Sequence, residues 1–98
     1  MRCVVVGKWG PGMVKDCSER LFALLDGKAP ENVLDAYGKI KFDAFEFPSV
    51  YGQNCVVAVA EADEMTMAIF LRYWADLMTF EVMPSVPIEI LAKMGPKK

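Results

Sequence analysis

Two short runs of the chain are apolar at almost every position: R-C-V-V-V-G-K-W at 2–9 and N-C-V-V-A-V-A-E at 54–61. A strand with one wet face alternates apolar and polar residues, whereas a short unbroken apolar run predicts a strand covered on both faces. Both runs are therefore read as buried strands. Gly10-Pro11-Gly12 closes the first and turns the chain toward a helix.

Residues 13–26 change period. Val14, Cys17, Leu21, Leu24 and Leu25 form one stripe, with Lys15, Asp16, Glu19, Arg20 and Asp26 on the wet side. Asp16 and Arg20 are spaced to pair one helical turn apart, and Gly27 is placed to terminate the helix. The polar K-A-P-E-N segment reads as a loop. From Ala36 to Phe47, Tyr37, Lys39, Lys41 and Asp43 alternate with Gly38, Ile40, Phe42 and Ala44, which predicts a strand with one wet face. Pro48 and Gly52 mark a turn, so this strand and the one at 54–61 are expected to form a long hairpin.

Asp63 is a good N-cap for a second helix, and Glu64 suits its first turn. Met67, Phe70, Leu71, Trp74, Leu77 and Met78 make the core stripe of that helix, widened by Ile69 and Tyr73. T-F-E-V-M-P-S-V at 79–86 is the fourth predicted strand, with Pro84 fitting an edge or a strand end. Residues 88–94, I-E-I-L-A-K-M, predict a short amphipathic helix or arm, and the chain closes on a frayed G-P-K-K.

The order βαββαβ is the split-βαβ, ferredoxin-like plan, an α+β fold with both helices on one face of a four-stranded antiparallel sheet. The two unbroken apolar runs become its central strands. Helices can cover only one sheet face, and no predicted segment is left for the other. A second copy, sheet against sheet, is the simplest cover. The expectation is one domain over 1–98 that pairs into a dimeric α/β barrel, with 88–98 as a C-terminal arm or tail.

Composition sharpens that expectation. Hydrophobic residues make up 54% of only 98 positions, against a usual ~45–50%, and soluble monomers rarely leave large apolar patches uncovered. A net charge of −2 without a basic stripe excludes nucleic acid as an expected partner. The absence of histidine removes the commonest general base and metal ligand. It excludes His-dependent triads, His-ligated haem and His-containing zinc sites, and three cysteines are too few for a four-cysteine zinc site. Cys3, Cys17 and Cys55 all lie in apolar segments and read as small buried hydrophobes in a reducing compartment. No cofactor is expected. With no signal peptide and no run of about 20 apolar residues, the expectation is a cytoplasmic protein without membrane contact.

One stretch carries a resemblance. W-A-D-L-M-T-F-E-V-M-P, Trp74 to Pro84, closely resembles the signature W-x-D-L-x-x-F-E-V-x-P of a prokaryotic domain-of-unknown-function family. V-A-E-A-D at 59–63 and the Pro30-Glu31 loop are also similar to that family. The resemblance implies the dimeric α/β-barrel fold. Relatives of that barrel include cofactor-independent monooxygenases, lactone isomerases, haem-degrading enzymes and plain binding proteins, and fold alone does not choose among them.

In many such relatives a ligand lies between the sheet and the helices of each subunit. That implies a role for Trp74 on the inner face of the second helix, where its structural reading is a core aromatic. Asp76, in the expected last helical turn, opposes the helix dipole and is expected to pair with Arg72 or to accept backbone amides of the following turn. Glu81 lies on the opposite strand face from Phe80 and Val82. Facing a pocket it would be a candidate acid or base; facing water it is an ordinary surface residue. Glu61 ends a strand near a helix N-terminus, where an anion is favoured. Tyr37, Tyr73 and Asn54 are further polar-tipped candidates for orienting a ligand, as is Trp9. The functional expectation is a homodimer binding a small apolar molecule between sheet and helices. The alternatives are a cofactor-independent monooxygenase or isomerase using Glu81 or Glu61, and a structural or regulatory dimer without a ligand.

Overall fold

The apolar run at the start of the chain forms β1 (Arg2–Trp9), the central member of the architecture. A computed structural model describes residues 1–46 and 54–95. The elements after β1 are α1 (Val14–Leu25), α2 (Glu31–Lys39), β2 (Lys41–Glu46), β3 (Cys55–Glu61), α3 (Glu64–Arg72), β4 (Met78–Pro84) and α4 (Ile88–Lys93). The four strands form one sheet in the order β2-β3-β1-β4, every neighbouring pair antiparallel. This is the ferredoxin-like arrangement, with the two unbroken apolar strands at its centre. The turn expected at Pro48 and Gly52 lies outside the described residues.

The largest correction concerns residues 31–39. The expected loop and the first part of the expected strand are instead helix α2, so two helices stand between β1 and β2. Val33, Ala36 and Ile40 are buried and Tyr37 is half-buried, a spacing of three, one and three that belongs to a helix. Pro30, at φ −53°, presets the helical entry, and its carbonyl accepts the amides of Val33 and Leu34, both at 3.0 Å. Glu31 in the first turn and Lys39 in the last both oppose the end charges of the helix favourably. The alternation is a strand pattern only from Lys41 onward.

A bulge between Phe42 and Ala44 also shifts the register of β2 against β3. Phe42 pairs with Ala60 and Phe45 with Ala58, so two phenylalanines three residues apart share one face. Their rings lie 4.8 Å apart, centroid to centroid.

α3 starts as its sequence predicts. Asp63 caps it by accepting the Thr66 amide at 2.7 Å, and that bond holds the Asp63 carboxyl below its ordinary range. It ends earlier than expected. The amides of Trp74, Ala75 and Leu77 bond three residues back, to Leu71, Arg72 and Trp74. These tighter bonds unwind the helix into a turn. Asp76 and Leu77 therefore sit in that turn, and Met78 opens β4.

The two sheet faces differ. Cys3, Val5, Trp9, Ala58 and Ala60 point toward α1, α2 and α3 and join Leu24, Val33, Met67, Phe70 and Trp74 in the core. Val4, Val6, Val57 and Val59 point the other way, where Val4 neighbours Val59 and Met83, and Val6 neighbours Val57 and Glu81. Of the stripe expected on α1, Cys17 and Leu24 are buried, whereas Val14 and Leu25 are exposed. α4 leaves the body of the fold with every residue exposed, including Ile88, Ile90 and Leu91. No described helix is long and apolar enough to cross a membrane.

Candidate functional site

α2 and α3 pack closely against one another, and α1 has no comparably close neighbour. The space this leaves between α1, α3 and the sheet is a cavity of about 250 Å³. Val14, Cys17, Ser18 and Leu21 of α1 form one wall. Met67, Phe70 and Leu71 of α3, with Trp74 just beyond it, form a second. The sheet floor is Val5, Trp9, Val56, Ala58, Ala60, Met78 and Phe80, with Phe42 and Phe45 closing the β2 side. None of these side chains is charged. Both tryptophans of the chain are among them.

Strand periodicity and one glycine make the floor. Alternation sends Val5, Gly7 and Trp9 of β1 to the helix side. Gly7 pairs with Phe80, and a Cβ built at Gly7 would lie 2.7 Å from Met78 Cε and 2.8 Å from Phe80 Cε1. Gly7 therefore provides the space in which these two side chains lie against the sheet. The α3 wall is braced by ring contacts. Phe70 stacks on Tyr37 at 5.7 Å and meets Phe42 and Trp74 edge-on, at 6.0 and 6.4 Å. Such ring pairs contribute beyond their buried area.

The α1 wall is tied at one end by polar contacts. Arg20 forms a two-pronged ion pair with Asp76, whose Oδ2 accepts from Nη2 at 3.0 Å. Arg20 Nη1 also donates to the Tyr73 carbonyl at 2.8 Å, and the Tyr73 hydroxyl donates back to the Arg20 carbonyl at 3.1 Å. The guanidinium lies 5.5 Å from the centroid of the Tyr73 ring. The hydrogen bond from Arg20 holds the Asp76 carboxyl below its ordinary range and raises the guanidinium. Two expected pairs are thus corrected. Asp76 binds Arg20 rather than Arg72, and Arg20 reaches across to the α3–β4 turn rather than back to Asp16. The turn itself is the reason, because it carries Asp76 off the helical face that Arg72 occupies.

The candidate residues separate into distinct places. Trp74 is buried and lines the cavity. Tyr73, its neighbour, turns outward to Arg20. Tyr37 sits on α2, not on a strand, and supports the α3 wall by stacking on Phe70. Asn54 is half-buried, and its carbonyl accepts the Trp9 amide at 3.0 Å. Glu61 and Glu81 are exposed on the other sheet face, Glu61 paired in register with Arg2 and Lys41, and Glu81 with Val6. Neither carboxylate lines the cavity.

Sequence reasoning did not single out Ser18, Leu21, Phe42, Phe45 or Phe80 as cavity walls. A stripe on α1 was visible, but a stripe does not say whether its residues touch the sheet or stand back from it. Cys17 also lines the wall. Burial pushes its thiol up, so it stays protonated and is a poor nucleophile. Cys3 and Cys17 are free thiols. Among the described residues no group of three or more Cys, Asp or Glu side chains is arranged to hold a metal ion.

No protein-family model and no curated protein matches the chain. Two solved structures are similar in outline. Protein Atu4242 from Agrobacterium tumefaciens aligns with a TM-score of 0.49 at 12% identity, over 88% of this chain and 94% of that one. Rv0793 from Mycobacterium tuberculosis aligns with a TM-score of 0.47 at 16% identity, over 89% of this chain and 97% of that one. Likeness at this level carries no information about activity.

Proposed function

We propose that this protein binds a small apolar molecule in the cavity between α1, α3 and the sheet, and works as a homodimer paired through the opposite sheet face. The observation that carries the first part is the cavity wall, apolar and aromatic and without one charged side chain. Ligand sites are concave and mostly apolar, with few polar groups to fix orientation.

The second part rests on the other face. Its centre is the valine patch of Val4, Val6, Val57 and Val59, and charges of both signs, Arg2, Lys8, Glu61 and Glu81, stand along the same strand faces. A surface bearing both signs can be self-complementary under a two-fold axis. Arg2 is ion-paired with Asp43 on this side.

Binding is favoured over cofactor-independent catalysis. A monooxygenase or isomerase mechanism needs a proton carrier within reach of the substrate, and the two carboxylates considered for that task, Glu61 and Glu81, lie across the sheet from the cavity.

Thermal unfolding in the presence of naphthalene tests the binding reading. A ligand present at 100 times its Kd stabilises by about 2.7 kcal/mol, so Tm should rise by several degrees. Ser18→Phe, which fills the cavity from α1, should abolish that rise. An unshifted Tm for the native protein contradicts the reading.

A further inference from the structure

The chemistry of the walls constrains the ligand beyond its being small and apolar. We infer that the cavity selects an uncharged aromatic molecule of one or two rings and discriminates against anions and cations of the same shape. This rests on the reading of the cavity as a binding site.

Size comes first. A cavity of about 150 Å³ in a protein core accommodates benzene, and this one measures about 250 Å³. One ring fits with room to spare, and two fused rings are within its size. Shape and surface come second. Trp74, Phe70, Phe80 and Phe42 offer ring faces and edges from three sides, the surface against which a flat aromatic packs in offset or edge-on contact.

Charge comes third. An ion entering an apolar site loses its hydration and needs a partner there. Arg20, on α1 itself, carries the nearest guanidinium in sequence, and its charge is already paired with Asp76 and bonded to the Tyr73 carbonyl. The rim offers no substitute: its exposed members are Val14, 51% exposed, and Phe45, 41% exposed. The Ser18 hydroxyl can bond one neutral polar atom such as a ketone oxygen, and it cannot balance a full charge.

The test uses three probes of nearly equal shape: 1-acetylnaphthalene, 1-naphthoate and (1-naphthylmethyl)ammonium. Each is titrated at pH 7 into the intact protein, with tryptophan emission as the readout, because both tryptophans line the cavity. The expected result is saturable quenching by the ketone, with both ions binding weaker by about tenfold or more. Equal or tighter binding of either ion overturns the selection while leaving the cavity standing as a ligand site. Saturable quenching by none of the three overturns the cavity reading itself, and this inference with it.

Discussion

The two faces of the sheet are built from the same strands but carry different residues and different cover. Val5 and Val4 are neighbours in sequence. Val5 is 6% exposed beneath the helices, and Val4 is only half-buried on the far side. The helix face is rich in aromatics and incompletely filled, which leaves a cavity. The far face is a flat valine patch with charges of both signs. What separates them is the aromatic content and helix cover of the first and the charges of the second. Under the function proposed above, the first face receives a guest molecule and the second a copy of the chain.

The comparison can be attacked at both faces, and the largest effect is expected in the helix-face core. Phe70→Ala removes the ring that joins Tyr37, Phe42 and Trp74. It should cost about 3–5 kcal/mol in urea unfolding. A loss under about 1 kcal/mol would mean that these ring contacts do not hold the α3 wall.

Gly7→Ala comes next. The added methyl meets Met78 and Phe80 at under 3 Å, and overpacking of this kind costs roughly 1–3 kcal/mol. Because the displaced side chains are cavity walls, the variant should also bind naphthalene more weakly. Full retention of both stability and binding would remove Gly7 from the design of the floor.

On the far face, Val57→Lys should change the stability of a single chain by under about 1 kcal/mol, since the site is only partly buried. Its effect should show in assembly. Sedimentation velocity is expected to give a dimer for the native protein and a monomer for the variant, with naphthalene binding kept. A native monomer at micromolar concentration contradicts the proposed pairing.

The smallest effect is electrostatic. Asp76 is held low by Arg20, and Asp63 by the Thr66 amide. A carboxyl depressed in the folded state contributes stability above its unfolded pKa, about 3.9, and that contribution is lost as pH falls through the folded value. Stability should therefore decline on acidification below about pH 4. Asp76→Asn should be less stable than the native protein at pH 7 and should approach it at the acid end. A difference independent of pH would mean that the Arg20–Asp76 pair is not the cause.

How far the residues disclosed this design differs from place to place. β1 and β3 were legible because unbroken β-branched runs have one physical explanation, cover on both faces. The start of α3 was legible because Asp63 is an N-cap by chemistry. α2 was misread because Tyr37 to Ala44 happens to alternate, and Gly38 gave no helical signal. Its true marks were Pro30 at the entry, Glu31 and Lys39 at the two ends, and the spacing of Val33, Ala36, Tyr37 and Ile40. The Phe42–Phe45 pair could not be read, because a bulge breaks the period of two on which face assignment depends. Trp74 was a candidate pocket residue only through the resemblance of residues 74–84, and by its own pattern it read as a core aromatic. The cavity itself depends on how far α1 stands from the sheet, a distance fixed by contacts such as Arg20 with Asp76, 56 positions away. Spacing within one helix carries no trace of such a contact.

The central claim is that a guest molecule occupies the helix side of the sheet and leaves the far side untouched. Methyl NMR on valine- and leucine-labelled protein titrated with naphthalene tests it directly, because adjacent valines of β1 and β3 report opposite faces. The account predicts saturable shifts for Val5, Val56 and Leu21, with Val4, Val6, Val57 and Val59 unmoved. Shifts confined to Val4, Val6, Val57 and Val59, or shifts at none of these methyls, would contradict it.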